Sequence, residues 1–179
     1  FEDTECQGRW ALAALTVAVA RSQFERAEAL LEQARKHIGD DPWLIGRVDR
    51  MEYSLFALLG QVKDGKSVLE DLRVHADAAD DDWLRVKHAI NLGFHAFSEG
   101  RPEKAVFCYR RALPLAIQLG HREMEAGLHR RLALALQAAG DEEAGQRSRL
   151  RALDLTNPDY NPDVQAHLMA SEAEYLATV

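Results

Sequence analysis

The stretch that decides the fold is Val86–Leu119, which reads VKHAINLGFHAFSEGRPEKAVFCYRRALPLAIQL. It holds two apolar patterns of helical period, separated by Gly100, and Pro102 and Glu103 open the second pattern. Glycine adopts positive φ without strain, so Gly100 predicts a tight turn after the first helix. Proline and an acidic residue both suit the N-terminus of the next helix. This stretch therefore predicts two antiparallel helices joined by a short turn.

The same arrangement recurs along the chain at a constant interval. Gly60, Gly100 and Gly140 lie 40 residues apart, and Trp43 and Trp83 keep the same interval. A more degenerate unit precedes them, with its turn near residues 21–23. A fixed period of this length is typical of stacked helical hairpins. We therefore predict that residues 1–157 form four hairpins, at about 9–38, 43–79, 83–119 and 122–156.

Within these hairpins, eight helices are predicted at about 9–20, 24–38, 43–59, 62–79, 83–98, 102–119, 122–139 and 142–155. Asp41 and Asp82 are predicted to cap the second and third pairs, each with a tryptophan in the first turn. A ninth helix is predicted within residues 158–179, where apolar residues recur on one face. It either covers the open end of the repeat array or begins a fifth repeat.

The third repeat carries residues at the spacing of a tetratricopeptide repeat: Leu92, Gly93, Gly100, Ala105, Tyr109, Ala112 and Leu113. The chain thus resembles the tetratricopeptide (TPR) family. Its period is similar to that of the longer repeats found in large bacterial signalling and transcription regulators. The resemblance implies an all-α fold in which hairpins stack into a right-handed superhelix. It also implies that the first helix of each hairpin lines a concave groove that binds a partner.

Nine residues of the first helices are predicted to face this groove: Arg47, Arg50, Ser54, Lys87, Asn91, Phe94, Arg130, Arg131 and Gln137. Bases outnumber acids in these helices, although the chain carries a net charge of −7. Arginine offers a planar pair of donors to a carboxylate. The alternative is that the arginines form a solvated face paired with acids, and that Phe94 is core between repeats.

Some tetratricopeptide domains bind a terminal carboxylate with bases and asparagines at matching positions. The resemblance places Arg50, Asn91 and Arg131 on three of these positions. Ser54 stands where an asparagine is expected, and Gly127 stands where a lysine is expected. The match to this carboxylate-binding pattern is therefore partial.

These patterns predict a protein–protein interaction module, not an enzyme, that binds a peptide or protein with an acidic segment or C-terminus. The alternative is a regulatory sensor domain of a larger bacterial transcription or signalling regulator. The negative net charge argues against nucleic acid as a partner. Cys6 and Cys108 are distant in sequence and are interpreted as reduced thiols of a cytoplasmic protein.

Several other patterns predict no chemistry. Residues 60–67 match the phosphate-loop pattern G-x-x-x-x-G-K-[ST], but that loop requires a preceding strand, and here a helix is predicted. The histidines lack neighbouring ligands at metal-site spacing, so no metal or cofactor is expected. The apolar run at residues 10–20 is too short to cross a bilayer, and it is interpreted as a buried helix with no membrane role.

Overall fold

The computed structural model describes residues 4–156, and all of its regular structure over this range is helical. The eight helices are α1 Thr4–Ala20, α2 Phe24–His37, α3 Pro42–Leu58, α4 Lys66–Ala78, α5 Asp82–Ser98, α6 Pro102–Gln118, α7 Arg122–Ala138 and α8 Glu142–Leu155. The predicted all-α class and the eight helices are confirmed. The helix predicted within 158–179 lies outside the described residues.

The turns explain why the helices end where they do. Gly60, Gly100 and Gly140 have φ values of 72°, 71° and 84°, as the repeat predicted. In the degenerate first hairpin, Ser22 takes this role with φ of 54°. The remaining turns also place one residue at positive φ: Gly39, Asp80 and Gly120. From α1 to α8, every connection between consecutive helices therefore contains a residue in the left-handed region.

Two predicted helix starts were wrong. Helix α4 begins at Lys66 instead of residue 62, because residues 61–65 form a turn in which Asp64 N–H donates to the Gln61 carbonyl at 3.1 Å. Gly65 closes this turn against the Tyr53 ring, where an added Cβ would lie 2.8 Å from a ring carbon. Helix α1 begins earlier than predicted, at Thr4. Its first turns include Gly8, which lies against the backbone at His37 with no room for a Cβ.

Packing divides the chain into two compact units, with the boundary between His95 and Ala96. In unit 1, α1 packs on α2, α3 packs on α4, and α3 also contacts α1 and α2. The core of its first three helices is built from aliphatic side chains such as Leu15, Leu30 and Val48. This core holds α3 in place, and α3 carries part of the candidate site.

In unit 2, α7 packs between α6 and α8. Ala105, Tyr109 and Ala112 are all buried, so the predicted shared face of α6 is confirmed. Gly145, near the start of α8, lies close to the Ala133 carbonyl near the end of α7. These two helices are therefore antiparallel, as a hairpin requires.

The expectation that the apolar run of α1 is buried was only partly right. One face, including Leu15, belongs to the core, but the Trp10 side chain is 62% exposed and Val17 is 50% exposed. Helix α1 packs on α2 and α3 through one face, which leaves the opposite face in contact with solvent. Across residues 4–156, no helix has both the length and the apolar character needed to span a bilayer.

Candidate functional site

Two helix faces in unit 1 carry most of the predicted groove residues. On α3 and α5 they recur every three or four positions, so those of each helix share one face. The residues are Trp43, Arg47, Arg50 and Ser54 on α3, and Trp83, Lys87 and Asn91 on α5. Five of these seven were predicted as groove residues, and the two tryptophans were not.

The Trp83 ring brings the cations of the two helices together. The guanidinium carbons of Arg47 and Arg50 lie 5.2 and 5.3 Å from the ring centroid, and Lys87 Nζ lies 5.1 Å from it. All three distances fall within the range of cation–π attraction. The structure thus gathers three predicted groove residues around one indole, and we call these residues with Trp43 and Trp83 the Trp83 cluster.

Trp43 supplies a second aromatic wall. The Arg47 guanidinium carbon lies 4.8 Å from the Trp43 centroid, so this cation contacts both indoles. The Trp43 indole N–H donates to Asp81 Oδ2 at 3.1 Å, which fixes the ring. Asp81 Oδ1 also accepts from Leu84 N–H at 2.6 Å at the start of α5. One carboxylate therefore positions both the Trp43 ring and the helix that carries Trp83 and Lys87.

The structure corrects one predicted cap. Asp82 was predicted to cap α5, but it lies inside the helix, and its Oδ1 is 2.9 Å from an Arg85 guanidinium nitrogen. Asp81, the preceding residue, caps the helix instead. The predicted cap at Asp41 is confirmed, since its carboxylate accepts from Trp43 N–H at 2.9 Å.

The charge of Arg50 is poorly compensated. No carboxylate pairs with Arg47 or Arg50 within the described residues, and the buried Nε of Arg50 has no hydrogen-bond partner there. One terminal nitrogen of Arg50 contacts the Met51 sulfur at 2.7 Å. Burial, together with the nearby charge of Arg47, lowers the pKa of Arg50 to about 10. An anion entering this cluster would relieve both effects.

Ser54 and Asn91 lie one turn beyond the cations. The Ser54 hydroxyl donates to the Arg50 carbonyl at 2.9 Å, so its hydrogen is already used. The Asn91 Nδ2 is buried and has no hydrogen-bond partner in the described part of the chain. Asn91 therefore retains amide donors, which suit an oxygen acceptor.

A different charged arrangement lies next to the cluster in sequence. Asp49 is only 1% exposed, and its carboxylate lies 2.6 Å from His75 Nδ1 and 3.2 Å from an Arg35 nitrogen. Arg35 also pairs with Glu52. Burial raises the pKa of Asp49, while His75 and Arg35 favour its charged form. This network connects α2, α3 and α4, and the sequence analysis did not find it.

The remaining predicted bases lie on α7 in unit 2. Burial lowers the pKa of both Arg130 and Arg131. Arg131 donates to the Gly127 carbonyl at 3.1 Å, and neither arginine pairs with a carboxylate in the described range. Gln137, near the end of the same helix, is half-buried. These residues form a second basic group, which is described here within unit 2 alone.

Phe94, on α5 of unit 1, is exposed at the surface. It lies beyond Asn91 on the same helix. It remains a predicted groove residue.

Two other sequence patterns can be compared with the structure: the match to the phosphate-loop pattern and the possible metal ligands. Residues 60–67 follow helix α3, and Lys66 and Ser67 open α4 at the surface. This segment is an interhelix turn, as predicted, and not a strand-to-helix phosphate loop. In the range 4–156, no group of three or more histidine, cysteine or acidic side chains is arranged to hold a metal ion.

The aromatic half of the cluster had a signal in the sequence. In the sequence analysis, Trp43 and Trp83 marked the repeat interval and the first turn of their helices, but they were not predicted as site residues. Each precedes a base by four residues, at Arg47 and Lys87. Residues at this spacing on a helix are neighbours. The tryptophan–base pairs were therefore visible in the sequence, whereas their convergence on Trp83 depends on how α3 and α5 pack.

Comparisons with known proteins add no relative. No protein-family model matches this chain, and no curated protein matches it either. The likeness to tetratricopeptide repeats therefore rests on the residues quoted above and on the helical hairpins.

Proposed function

We propose that this chain is a protein-interaction module that binds an acidic segment of a partner at the Trp83 cluster. The observation that carries the proposal is the convergence of Arg47, Arg50 and Lys87 on Trp83, with no carboxylate paired to either arginine in the described residues. Like charges repel one another, so a cluster of this kind is stabilised by an anionic ligand. Structural ion pairs, by contrast, carry their own counter-charges.

The chemistry of the cluster suits carboxylates. Arginine presents two parallel N–H donors to the two oxygens of one carboxylate, and partial burial strengthens this interaction. The indole faces of Trp43 and Trp83 offer apolar contact to the methylene groups of a glutamate or to a neighbouring side chain. The cluster offers cations and aromatic faces without a nucleophile or a general base, so we propose binding and not catalysis.

The fold class of the module is proposed on separate grounds. The 40-residue period and the buried Ala105, Tyr109 and Ala112 support a TPR-like array of hairpins, the right-handed superhelix that the resemblance implies. Exposed Cys6 and buried Cys108 are both free thiols, which fits a cytoplasmic setting for the encounter with the partner.

The proposal is tested with a fluorescein-labelled octaglutamate peptide, using fluorescence anisotropy at low salt. We expect saturable binding that weakens at least about tenfold in Arg47→Met/Arg50→Met, since loss of a close charge pair commonly costs this much. Lys63→Met/Lys66→Met is the matched control, because it removes two exposed cations elsewhere in unit 1. Equal affinity for all three proteins would rule out the Trp83 cluster as the site.

Two further measurements define the ligand and the extent of the site. The same peptide with an amidated C-terminus separates recognition of a terminal carboxylate from recognition of acidic side chains. Arg131→Glu, measured beside Arg50→Glu, asks whether the basic group of unit 2 also contributes. Binding that is lost in Arg50→Glu and kept in Arg131→Glu would confine the site to unit 1.

A further inference from the structure

Helix α6 has one side that no described part of unit 2 covers. The exposed residues of this side are Glu103, Lys104, Phe107, Arg110, Arg111, Pro114, Ile117 and Gln118. They recur every three or four positions and so share one face, which we call the α6 face. Phe107 is 60% exposed and Ile117 is 56% exposed. The α6 face therefore leaves two large apolar side chains in contact with solvent.

The α6 face is also basic, on a chain whose net charge is −7. Its single acid, Glu103, lies in the first turn, where it complements the helix dipole. The Arg111 guanidinium carbon lies 5.6 Å from the Phe107 centroid. Lys104, Arg110 and Arg111 pair with no carboxylate in the described part of unit 2, whereas three other exposed arginines there each do. Unmatched cations beside exposed apolar side chains are the composition of a docking surface.

The chain itself contains a segment of complementary composition. Residues 157–179, which follow α8, contain no lysine or arginine, and their acids are Asp159, Asp163, Glu172 and Glu174. Apolar residues recur on one face of the helix predicted there: Val164, Leu168, Tyr175 and Leu176. Glu172 stands four residues from both Leu168 and Leu176, so the predicted helix would present an acid together with apolar residues. The segment thus offers anions beside apolar side chains, and the α6 face offers cations beside apolar side chains.

The start of this segment lies near one end of the α6 face. Helix α8 ends at Leu155, whose carbonyl accepts from an Arg122 guanidinium nitrogen at 3.4 Å. Arg122 opens α7, directly after the turn that follows α6. The 23 residues of the segment span about 35 Å as a helix, whereas α6 extends about 20 Å from Ile117 to Lys104. The segment is therefore long enough to follow the whole α6 face of its own chain.

We propose that residues 157–179 dock on the α6 face of the same chain. The segment starts near the C-terminal end of α6, so its first acids, Asp159 and Asp163, meet Arg110 and Arg111. The later acids extend toward the N-terminal end of α6. Complementary charges set the register of this contact, and burial of apolar side chains supplies much of its free energy. Because the segment is joined to α8, its high effective concentration favours this contact over one with a second copy.

The test is limited digestion of the full chain with chymotrypsin, in which mass spectrometry follows cleavage after Leu168 and Tyr175. The rate of this cleavage tracks the population of the undocked segment. Arg110→Glu/Arg111→Glu should speed cleavage at least about tenfold, since like charges would then face each other. In the wild type, cleavage should be slow, and its rate constant should not depend on protein concentration.

Exchange of the charges makes the test specific to this pair of surfaces. Asp159→Arg/Asp163→Arg should speed cleavage as the α6 variant does. The four substitutions in one chain should restore slow cleavage, because opposite charges then face each other again. Arg147→Glu/Arg149→Glu is the matched control, since it reverses two exposed arginines of α8 in the same unit, and it should be cleaved at the wild-type rate.

Two further measurements locate the contact on the α6 face. Phe107→Ser keeps every charge and removes an apolar contact, so it should also speed cleavage of the segment. Gln118→Cys places a thiol on the α6 face, and its rate of alkylation by iodoacetamide should rise when Asp159→Arg/Asp163→Arg is added. The exposed Cys6 of unit 1 is the internal reference, and its rate should stay the same.

A wild type cleaved as fast as Arg110→Glu/Arg111→Glu would overturn the proposal, and so would a fourfold variant that is not protected. Loss of protection in the α8 control alone would place the segment on α8 and would overturn it too. Cleavage that slows as the protein concentration rises would show that a second copy holds the segment, against the proposal. The contact is independent of the Trp83 cluster, so Arg47→Met/Arg50→Met should keep the segment protected.

Discussion

Asp49 and Arg50 are consecutive residues of α3, yet their charges meet opposite surroundings. The Asp49 carboxylate contacts two basic side chains, Arg35 and His75, from the neighbouring helices α2 and α4. The Arg50 guanidinium contacts the Met51 sulfur and the Trp83 ring, next to the like charge of Arg47. Helix α3 therefore carries one charge that is paired with opposite charges, at Asp49, and one charge without a counter-charge, at Arg50.

This difference separates a structural role from a binding role. Asp49 holds partners on two other helices, so its removal would leave those partners without their acceptor. Burial of the Arg50 charge without a counter-ion is unfavourable for folding, and the Trp83 ring offsets only part of this cost in our proposal. In our proposal, the acidic ligand supplies the counter-charge that Arg50 lacks in the free protein.

The largest effect is expected when the compensated charge is removed. Asp49→Ala should lower the free energy of unfolding by about 3 kcal/mol, since a buried carboxylate with two basic partners is lost and a cavity remains. Urea unfolding measures this difference. Asp71→Ala, at an exposed acid of α4, is the control and should change stability by less than about 0.5 kcal/mol.

An Asp49→Ala protein as stable as the Asp71→Ala control would contradict the structural role of the network. Octaglutamate binding should survive in Asp49→Ala at urea-free conditions, because the Trp83 cluster contains none of the network residues. The variant thus tests the two faces of α3 separately.

Removal of the uncompensated charge of Arg50 should not lower the free energy of unfolding, in contrast to the removal of Asp49. Arg50→Met keeps the apolar stem and removes the buried cation, so the free energy of unfolding should stay unchanged or rise by up to about 1 kcal/mol. Affinity for octaglutamate should fall in the same variant. Urea unfolding and anisotropy on one preparation give both values. A loss of stability comparable to that of Asp49→Ala would show that Arg50 is structural.

A smaller effect, which depends on pH, is expected at His88 on α5. Burial, aided by the charge of Arg73, lowers the pKa of His88 below its ordinary value. The unfolded chain therefore takes up the proton first as the pH falls through about 6.5, and stability is lost from there down to the lowered pKa. Between pH 7 and 5, the wild type should lose about 1 kcal/mol more than His88→Gln. Parallel pH profiles of the two proteins would contradict this.

The helices were predicted well from the sequence because the residues that end and start them are close to the boundaries in sequence. Gly60, Gly100 and Gly140 need positive φ, and Pro102 suits the first position of a helix, so each boundary is set by a few residues. The start of α4 was missed because it depends on Gly65 packing against Tyr53, a residue of another helix. Contacts of this kind leave no mark in the local pattern.

The candidate site was predictable in its cations but not in its arrangement. Arg47, Arg50 and Lys87 follow from helical periodicity, whereas the gathering of all three around Trp83 depends on the packing of α3 against α5. The Asp49 network was missed for the same reason, because Arg35 and His75 come from two other helices. Its residues are ordinary surface types in sequence and meet only in three dimensions.

The most direct test of the account is the tryptophan fluorescence of Trp10→Phe during titration with unlabelled octaglutamate. This variant leaves Trp43 and Trp83 as the only tryptophans, and both belong to the Trp83 cluster. We predict a saturable change in emission that disappears when Arg50→Met is added to the same background. Peptide binding by anisotropy without any change in this emission, or no binding at all, would contradict the claim that the cluster recognises an acidic segment.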